Sequence, residues 1–204
     1  MRIAISGTHC CGKSTLIDQF LLGHPDYAHE PEPYTVLEED YGELFAAEPS
    51  ADDFYRQLEF NVSRLRHYGP GDKVIYERSP ADFLAYLLAL NDLGREDASR
   101  LVDRSLDIVQ QAIKFLDLIV FLPVKETEGS TVPEWEDREL RKEVNSRLEG
   151  ILIVDEFDLF TSNRPEILEA SGSTGQRLRM IEKVLDRLQN DLGVPSVEPI
   201  ISRE

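Results

Sequence analysis

A chain of 204 residues, 41% hydrophobic and 30% charged, has the size and balance of one water-soluble domain with a proper core. Its formal net charge of −17, without a basic run of even four residues, argues against DNA, RNA and anionic membranes as partners. No stretch approaches the roughly 20 apolar residues of a membrane helix.

The apolar run at residues 3–6, bounded by Gly7, predicts a buried strand. Because this strand starts at about Arg2, no room is left for a signal peptide, and a cytoplasmic home is expected. A helix is predicted over 14–22, closed by Gly23, His24 and Pro25. Residues 27–30 predict a short strand, followed by a Glu-Pro-Glu-Pro-Tyr turn in which Pro31 and Pro33 forbid a helix and hold Glu30 and Glu32 exposed. Over 52–66 the residues Phe54, Leu58, Val62 and Leu65 share a helical face, with Asp52 or Asp53 as the cap. Gly69-Pro70-Gly71 ends that helix, and residues 73–76 read as a third strand. Helices follow over 81–93 and 98–115, then a fourth strand over 118–124. A polar stretch over 125–133 leads into a charged helix, with Trp135 as a packing residue. A strand over 167–170 and an amphipathic helix over 176–192 complete the chain.

Strands alternating with helices predict an α/β fold in three layers. A parallel sheet of about five strands would carry helices on both faces and a helical lid over residues 125–150. The whole of residues 1–204 reads as a single domain, and a homodimer is left open. In such sheets ligands gather beyond the carboxyl ends of the strands.

One such end carries a specific motif. Residues 7–14, GTHCCGKS, satisfy G-x-x-x-x-G-K-S/T between a strand and a helix. Gly7 and Gly12 permit the tight turn, so the backbone of Thr8, His9, Cys10 and Cys11 can approach phosphate oxygens. Lys13 reaches the β- and γ-phosphates, the Ser14 hydroxyl suits Mg²⁺, and Thr15 suits the α-phosphate. ATP with Mg²⁺ is the expected ligand. The adjacent cysteines have neither disulfide nor metal spacing and fill variable loop positions.

Three further segments lie where an acceptor would meet the nucleotide. After the third strand, Glu77 could hold a Mg²⁺-bound water or a hydroxyl, and Arg78 could neutralise phosphate charge. Glu30 and Glu32 suit removal of a proton from an attacking hydroxyl. On the helix over 52–66, the Gln57 amide and Arg64 could read a planar ring edge.

These motifs, in this order over residues 3–90, resemble the deoxynucleoside-kinase and thymidylate-kinase branch of the P-loop kinases. The resemblance implies a general base in Glu30-Pro31 or Glu32-Pro33, and it matches Glu77-Arg78-Ser79 to a Glu-Arg-Ser triplet. It also matches Phe54, Gln57, Ser63, Arg64, Leu65 and Arg66 to the acceptor helix, so Tyr34, Phe54, Gln57 and Arg64 form the expected acceptor set. Arg56 stands where an aromatic stacker is usual, and Phe83 where an acidic base-reader occurs. Lid arginines are implied among Arg138, Arg141, Lys142 and Arg147, with Arg138 and Arg141 placed in catalysis. The later half resembles small P-loop ATPases that include the nicotinamide riboside kinase domain, and in both groups the loop from Gly172 to Gly175 lies against adenine. The implied activity is ATP-dependent phosphoryl transfer to a hydroxyl or phosphate of a small nucleoside-like metabolite. A polynucleotide acceptor is disfavoured by the missing basic track.

One segment points to another class. Residues 151–156, ILIVDE, match a Walker B strand, which would make the chain an ATPase or nucleotide-regulated switch with Asp155 on Mg²⁺ and Glu156 activating water. The same residues continue the helical spacing of Leu140, Val144 and Leu148, and the helix is the favoured reading.

Overall fold

The apolar runs assemble into one parallel sheet of five strands in the order β2-β3-β1-β4-β5, with helices on both faces. The computed structural model describes residues 1–45, 49–124, 136–160 and 165–191. In chain order the strands are β1 (Arg2–Ser6), β2 (Ala28–Glu30), β3 (Val74–Glu77), β4 (Leu118–Phe121) and β5 (Glu166–Glu169). The helices are α1 (Lys13–Gly23), α2 (Pro33–Glu39), α3 (Ala51–His67), α4 (Pro80–Asp92), α5 (Ser99–Ala112), α6 (Arg138–Glu149) and α7 (Thr174–Asp191).

Successive strand residues point to opposite faces, so the two cores divide the strands between them. Ile3, Ile5, Ile75, Leu118 and Val120 pack with α1 and α7. Ala4, Val74, Tyr76, Ile119 and Phe121 pack with α3, α4, α5 and α6. Helix α4 is buried from Pro80 to Leu90, because it is wedged between α3, α5 and α6. That burial explains why its sequence is apolar all round rather than on one stripe. The registers Ile5↔Glu77, Ser6↔Phe121 and Glu30↔Tyr76 bring the carboxyl ends of four strands to one edge.

Four expectations change in detail. Helix α3 is capped by Ser50, not by Asp52 or Asp53: the Ser50 side chain accepts from Asp53 N–H, and the Asp53 carboxylate accepts from Ser50 N–H in return. Pro33 does not forbid a helix but begins α2, since a first-turn residue has no intrahelical use for its N–H. Glu30 is buried rather than exposed. Strand β3 runs one residue further than read, so Glu77 is its last residue.

Residues 151–156 form no strand. Gly150–Val154 is a π-helical turn that extends α6, and Ile151 and Leu152 enter the α4–α6 core. Asp155 then adopts a left-handed conformation, and its carboxylate accepts from Leu159 N–H at 2.7 Å and Phe160 N–H at 3.3 Å. Glu156 faces Arg147 at 3.8 Å. Both acids are engaged in ending a helix, as the continued spacing predicted. Of the lid over 125–150, the stretch 125–135 with Trp135 lies outside the described residues, as does Leu192. Among the described residues no helix is long and apolar enough to cross a membrane.

Candidate active site

The phosphate loop links β1 to α1 and is shaped by two glycines. A side chain at Gly7 would meet Cys11 Sγ at 2.7 Å and Leu122 O at 3.0 Å, and Gly12 has a φ of 90° that L residues rarely adopt. Cys11 is buried, which pushes its thiol up, and Cys10 is exposed on the rim. Lys13 is 5% exposed and donates to Thr8 O at 2.9 Å, which curls the loop around its ammonium. Two arginines from distant helices steady the loop. Arg141 Nε of α6 donates to His9 O at 3.0 Å, and Arg177 Nη1 of α7 donates to Cys11 O at 2.8 Å.

Asp82, in the first turn of α4, holds this loop against the end of β3. Its fully buried carboxylate accepts from Gly7 N–H at 2.9 Å, Ser79 N–H at 2.8 Å and Ser79 Oγ at 3.0 Å. Ser6 Oγ donates to Ser79 Oγ at 2.7 Å. Sequence reasoning missed Asp82 as a site residue, although Ser79-Pro80-x-Asp82 carries the spacing of a capped helix start.

Two cavities meet here. The smaller, of about 420 Å³, is lined by His9, Cys10, Gly12, Lys13, Ser14, Thr15, Glu32 and Glu77. In its wall Ser14 Oγ donates to Glu77 Oε1 at 2.9 Å. The larger, of about 1230 Å³, lies between α3, α4 and the start of α6 and includes Tyr34, Phe54, Gln57, Arg78, Phe83, Tyr86, Glu136 and Arg141. His9 and Glu32 line both.

Glu32 pairs with Arg78 Nε, whose side chain is 1% exposed and also donates from Nη1 to Gly7 O at 3.1 Å. Burial disfavours the Glu32 carboxylate, but Arg78 and Lys13 outweigh it and hold the carboxyl down at about 2. Arg78 itself is raised well above its ordinary value; desolvation works against its charge, and Glu32 overcomes it. Its φ of 78° is unusual for a non-glycine residue. Asn61 Nδ2 donates to its carbonyl at 3.2 Å and fixes that turn. Desolvation in the cavity wall, then Arg78, lower His9 to about 4 although 45% of its side chain stays exposed, so its ring is neutral beside Glu32 at neutral pH.

The remaining candidates separate. Phe54 stacks on Tyr86 at 4.3 Å with 14° between the rings, and Tyr34 lies against Phe45 at 4.9 Å. Gln57 is buried with no hydrogen-bond partner among the described residues, and its position on the cavity wall explains a polar residue on a buried face. Glu30 and Arg64 do not join this group. They pair with each other, and Tyr68 Oη donates to Glu30 at 2.7 Å, so Glu30 faces away from the phosphate loop. Arg138 is exposed and lines neither cavity, Gly172 lines neither, and Arg147 is held by Asp92, Glu143 and Glu156. Arg56, standing where a ring stacker was expected, pairs on the surface with Glu43. Arg95, Glu136 and Asp137 line the larger cavity without any signal in the local sequence.

No family model matches the chain, and no curated protein matches it by sequence. Solved structures do match. A deoxyadenosine kinase from M. mycoides superposes with a TM-score of 0.65 at 18% identity, over 92% of this chain and 100% of that one. The fold is that of the P-loop nucleoside and nucleotide kinases. A thymidylate kinase from Candida albicans matches this kinase fold with a TM-score of 0.63 at 17% identity, over 93% of this chain and 92% of that one. NadR, solved with NAD and AMP-PNP, matches with a TM-score of 0.64 at 17% identity, over 98% of this chain. The chain spans only 51% of NadR.

Proposed function

We propose that this P-loop kinase fold is an ATP-dependent enzyme that transfers the γ-phosphoryl group to a hydroxyl of a small nucleoside-like metabolite. The observation that carries this reading is Glu32, which lines both the phosphate cavity and the larger cavity beside it. A carboxylate at that junction can take the proton of a hydroxyl as its oxygen attacks. In the balanced step, the acceptor oxygen bonds to the γ-phosphorus, the bond from that phosphorus to the bridging oxygen breaks, and ADP leaves with those electrons. Lys13, Arg78 and Arg141 surround the path with positive charge, which is most of what phosphoryl transfer asks of a protein.

The residues fit Mg²⁺. Ser14 and Glu77 are hydrogen-bonded neighbours in the phosphate cavity and would hold the ion. Bound there, Mg²⁺ supplies neutralisation of charge on the phosphate oxygens. The same reading takes the enzyme to be cytoplasmic, acting on a small molecule with no part for nucleic acid or membrane. The ATPase alternative loses its main support, because residues 151–154 are helical, Asp155 and Glu156 follow the end of that helix, and no strand forms there.

Three substitutions test it, by ADP formation against nucleosides, nucleotides and vitamin precursors. Lys13→Ala is expected to abolish turnover. Glu32→Gln should slow the chemical step by about 10²–10⁴-fold with ATP binding retained. Glu30→Gln should leave that step intact and lower stability. Unchanged turnover in Glu32→Gln would remove the assigned base.

A further inference from the structure

His9 serves the phosphate loop through its backbone, where its carbonyl accepts from Arg141 Nε, and that leaves its ring for another task. The ring stands between the two cavities, and each of its nitrogens faces a different carboxylate. Nε2 is 3.9 Å from Glu32 Oε1, and Nδ1 is 3.9 Å from Glu136 Oε2. Tyr86 packs edge to face against the same ring, with centroids 6.0 Å apart. Glu136, just before α6, lines the larger cavity with its side chain only 9% exposed. One ring thus links the junction of the cavities to the wall of the larger one. Both separations exceed a hydrogen bond by about 1 Å, a gap that catalytic contacts commonly close when substrate arrives.

Hold on a proton tightens along this line. Burial disfavours charge on Glu32, yet Arg78 and Lys13 keep it at about 2. His9 stands at about 4, lowered by desolvation, then by Arg78, Lys13 and Arg141 against the pull of Glu32. Glu136 is raised above its ordinary 4.5, because desolvation, aided by Asp137, outweighs Arg141, Arg78 and Lys13. The ring hydrogen also has a preferred side. Glu32 Oε1 already accepts from Arg78 Nε, whereas Glu136 accepts no hydrogen bond among the described residues. A hydrogen on Nδ1 therefore points to Glu136, and the Nε2 lone pair is left toward Glu32.

We infer that His9 relays the acceptor's proton from Glu32 to Glu136, clearing it from the junction of the two cavities. This rests on the kinase reading above and deepens it. In the balanced step, the hydroxyl proton passes to Glu32 and from there to His9 Nε2. The Nδ1 proton passes to the ionised Glu136, and the ring ends neutral with its hydrogen on Nε2. Glu136 then releases its proton to water, and exchange at the exposed part of the ring returns the hydrogen to Nδ1. Acting through Glu32, His9 is a relay and not the base.

Nitrogen NMR of the full chain, labelled in its histidine rings and with His9 assigned through its backbone resonances, reads the tautomer. Hydrogen on Nδ1 is expected at neutral pH, and hydrogen on Nε2 would overturn the inference. Single-turnover phosphorylation of whichever nucleoside, nucleotide or vitamin precursor forms ADP fastest supplies the second readout. His9→Gln and Glu136→Gln should each slow that rate at least about tenfold, with KM for ATP within about threefold. In the wild type the rate should fall on acidification as Glu136 takes up a proton, and Glu136→Gln should remove that acid limb. An unchanged rate in either variant, a raised KM for ATP as the main effect of His9→Gln, or an acid limb that survives Glu136→Gln would overturn the relay with the kinase reading standing. If His9→Gln does not fold, the wild-type tautomer and Glu136→Gln decide. ADP formation with no compound phosphorylated would remove the kinase reading, and the relay with it.

Discussion

At the junction of the two cavities, Arg78 sets the charge of both residues that an acceptor hydroxyl would meet. It holds Glu32 ionised and, together with burial, keeps His9 neutral. On the proposed reading, a base held near 2 is weak for its task, and the Arg78–Glu32 contact would have to loosen as a hydroxyl arrives. His9 has a second consequence. Between about 4 and its ordinary 6.5, the unfolded chain binds a proton at this position that the folded chain refuses. Stability contributed here is therefore present at neutral pH and lost on acidification through that window. Denaturant midpoints measured across it should fall with pH in the wild type, and His9→Gln should flatten the upper part of the curve. Glu32, also lowered, adds its own loss only as pH drops from its ordinary 4.5 toward 2, so the two contributions are separable.

Among the elements, α3 and α6 form two walls of the larger cavity, and the loop between α4 and α5 joins their starts. Glu96 accepts from Ala51 N–H at 2.8 Å at the head of α3, and Arg95 clasps Asp137, the cap of α6. One turn further along α6, Arg141 reaches the phosphate loop. The start of α3 depends on a capping box, so Ser50→Ala should cost about 1 kcal/mol. Urea unfolding reads that loss directly. Because Gln57 and Phe54 lie within the first two turns of α3, the same substitution should weaken acceptor binding more than ATP binding.

For the molecule as a whole, the phosphate loop is a junction of four regions: β1, the β3–α4 turn, α6 and α7 all touch it. Nucleotide binding should therefore stabilise the entire fold rather than one loop. A non-hydrolysable ATP analogue with Mg²⁺ at about 100 times its Kd should add about 2.7 kcal/mol to unfolding. Lys13→Ala should abolish the resulting rise in Tm.

Much of this architecture could be read along the chain, because its signals are local. Apolar runs bounded by glycine and proline marked the strands, and the Gly7–Thr15 spacing marked the phosphate loop. The helical repeat of Leu140, Val144 and Leu148 marked residues 151–156 as a continuation of α6. Choosing between Glu30 and Glu32 was not a local matter. They are two residues apart, and only tertiary packing turned one toward Arg64 and Tyr68 and the other toward Arg78 and Lys13. Arg64 left the expected acceptor set for the same reason. Asp82, Arg95 and Glu136 became site residues through contacts 42 to 127 positions distant in the chain, a range over which periodicity and motif spacing carry no information. Sequence alone thus determined which phosphate-binding element is present and that strands and helices alternate as a parallel sheet requires, since both are read from near neighbours; the strand order and which charges face the larger cavity were decided by the fold, since pairing and burial exist only once distant segments meet.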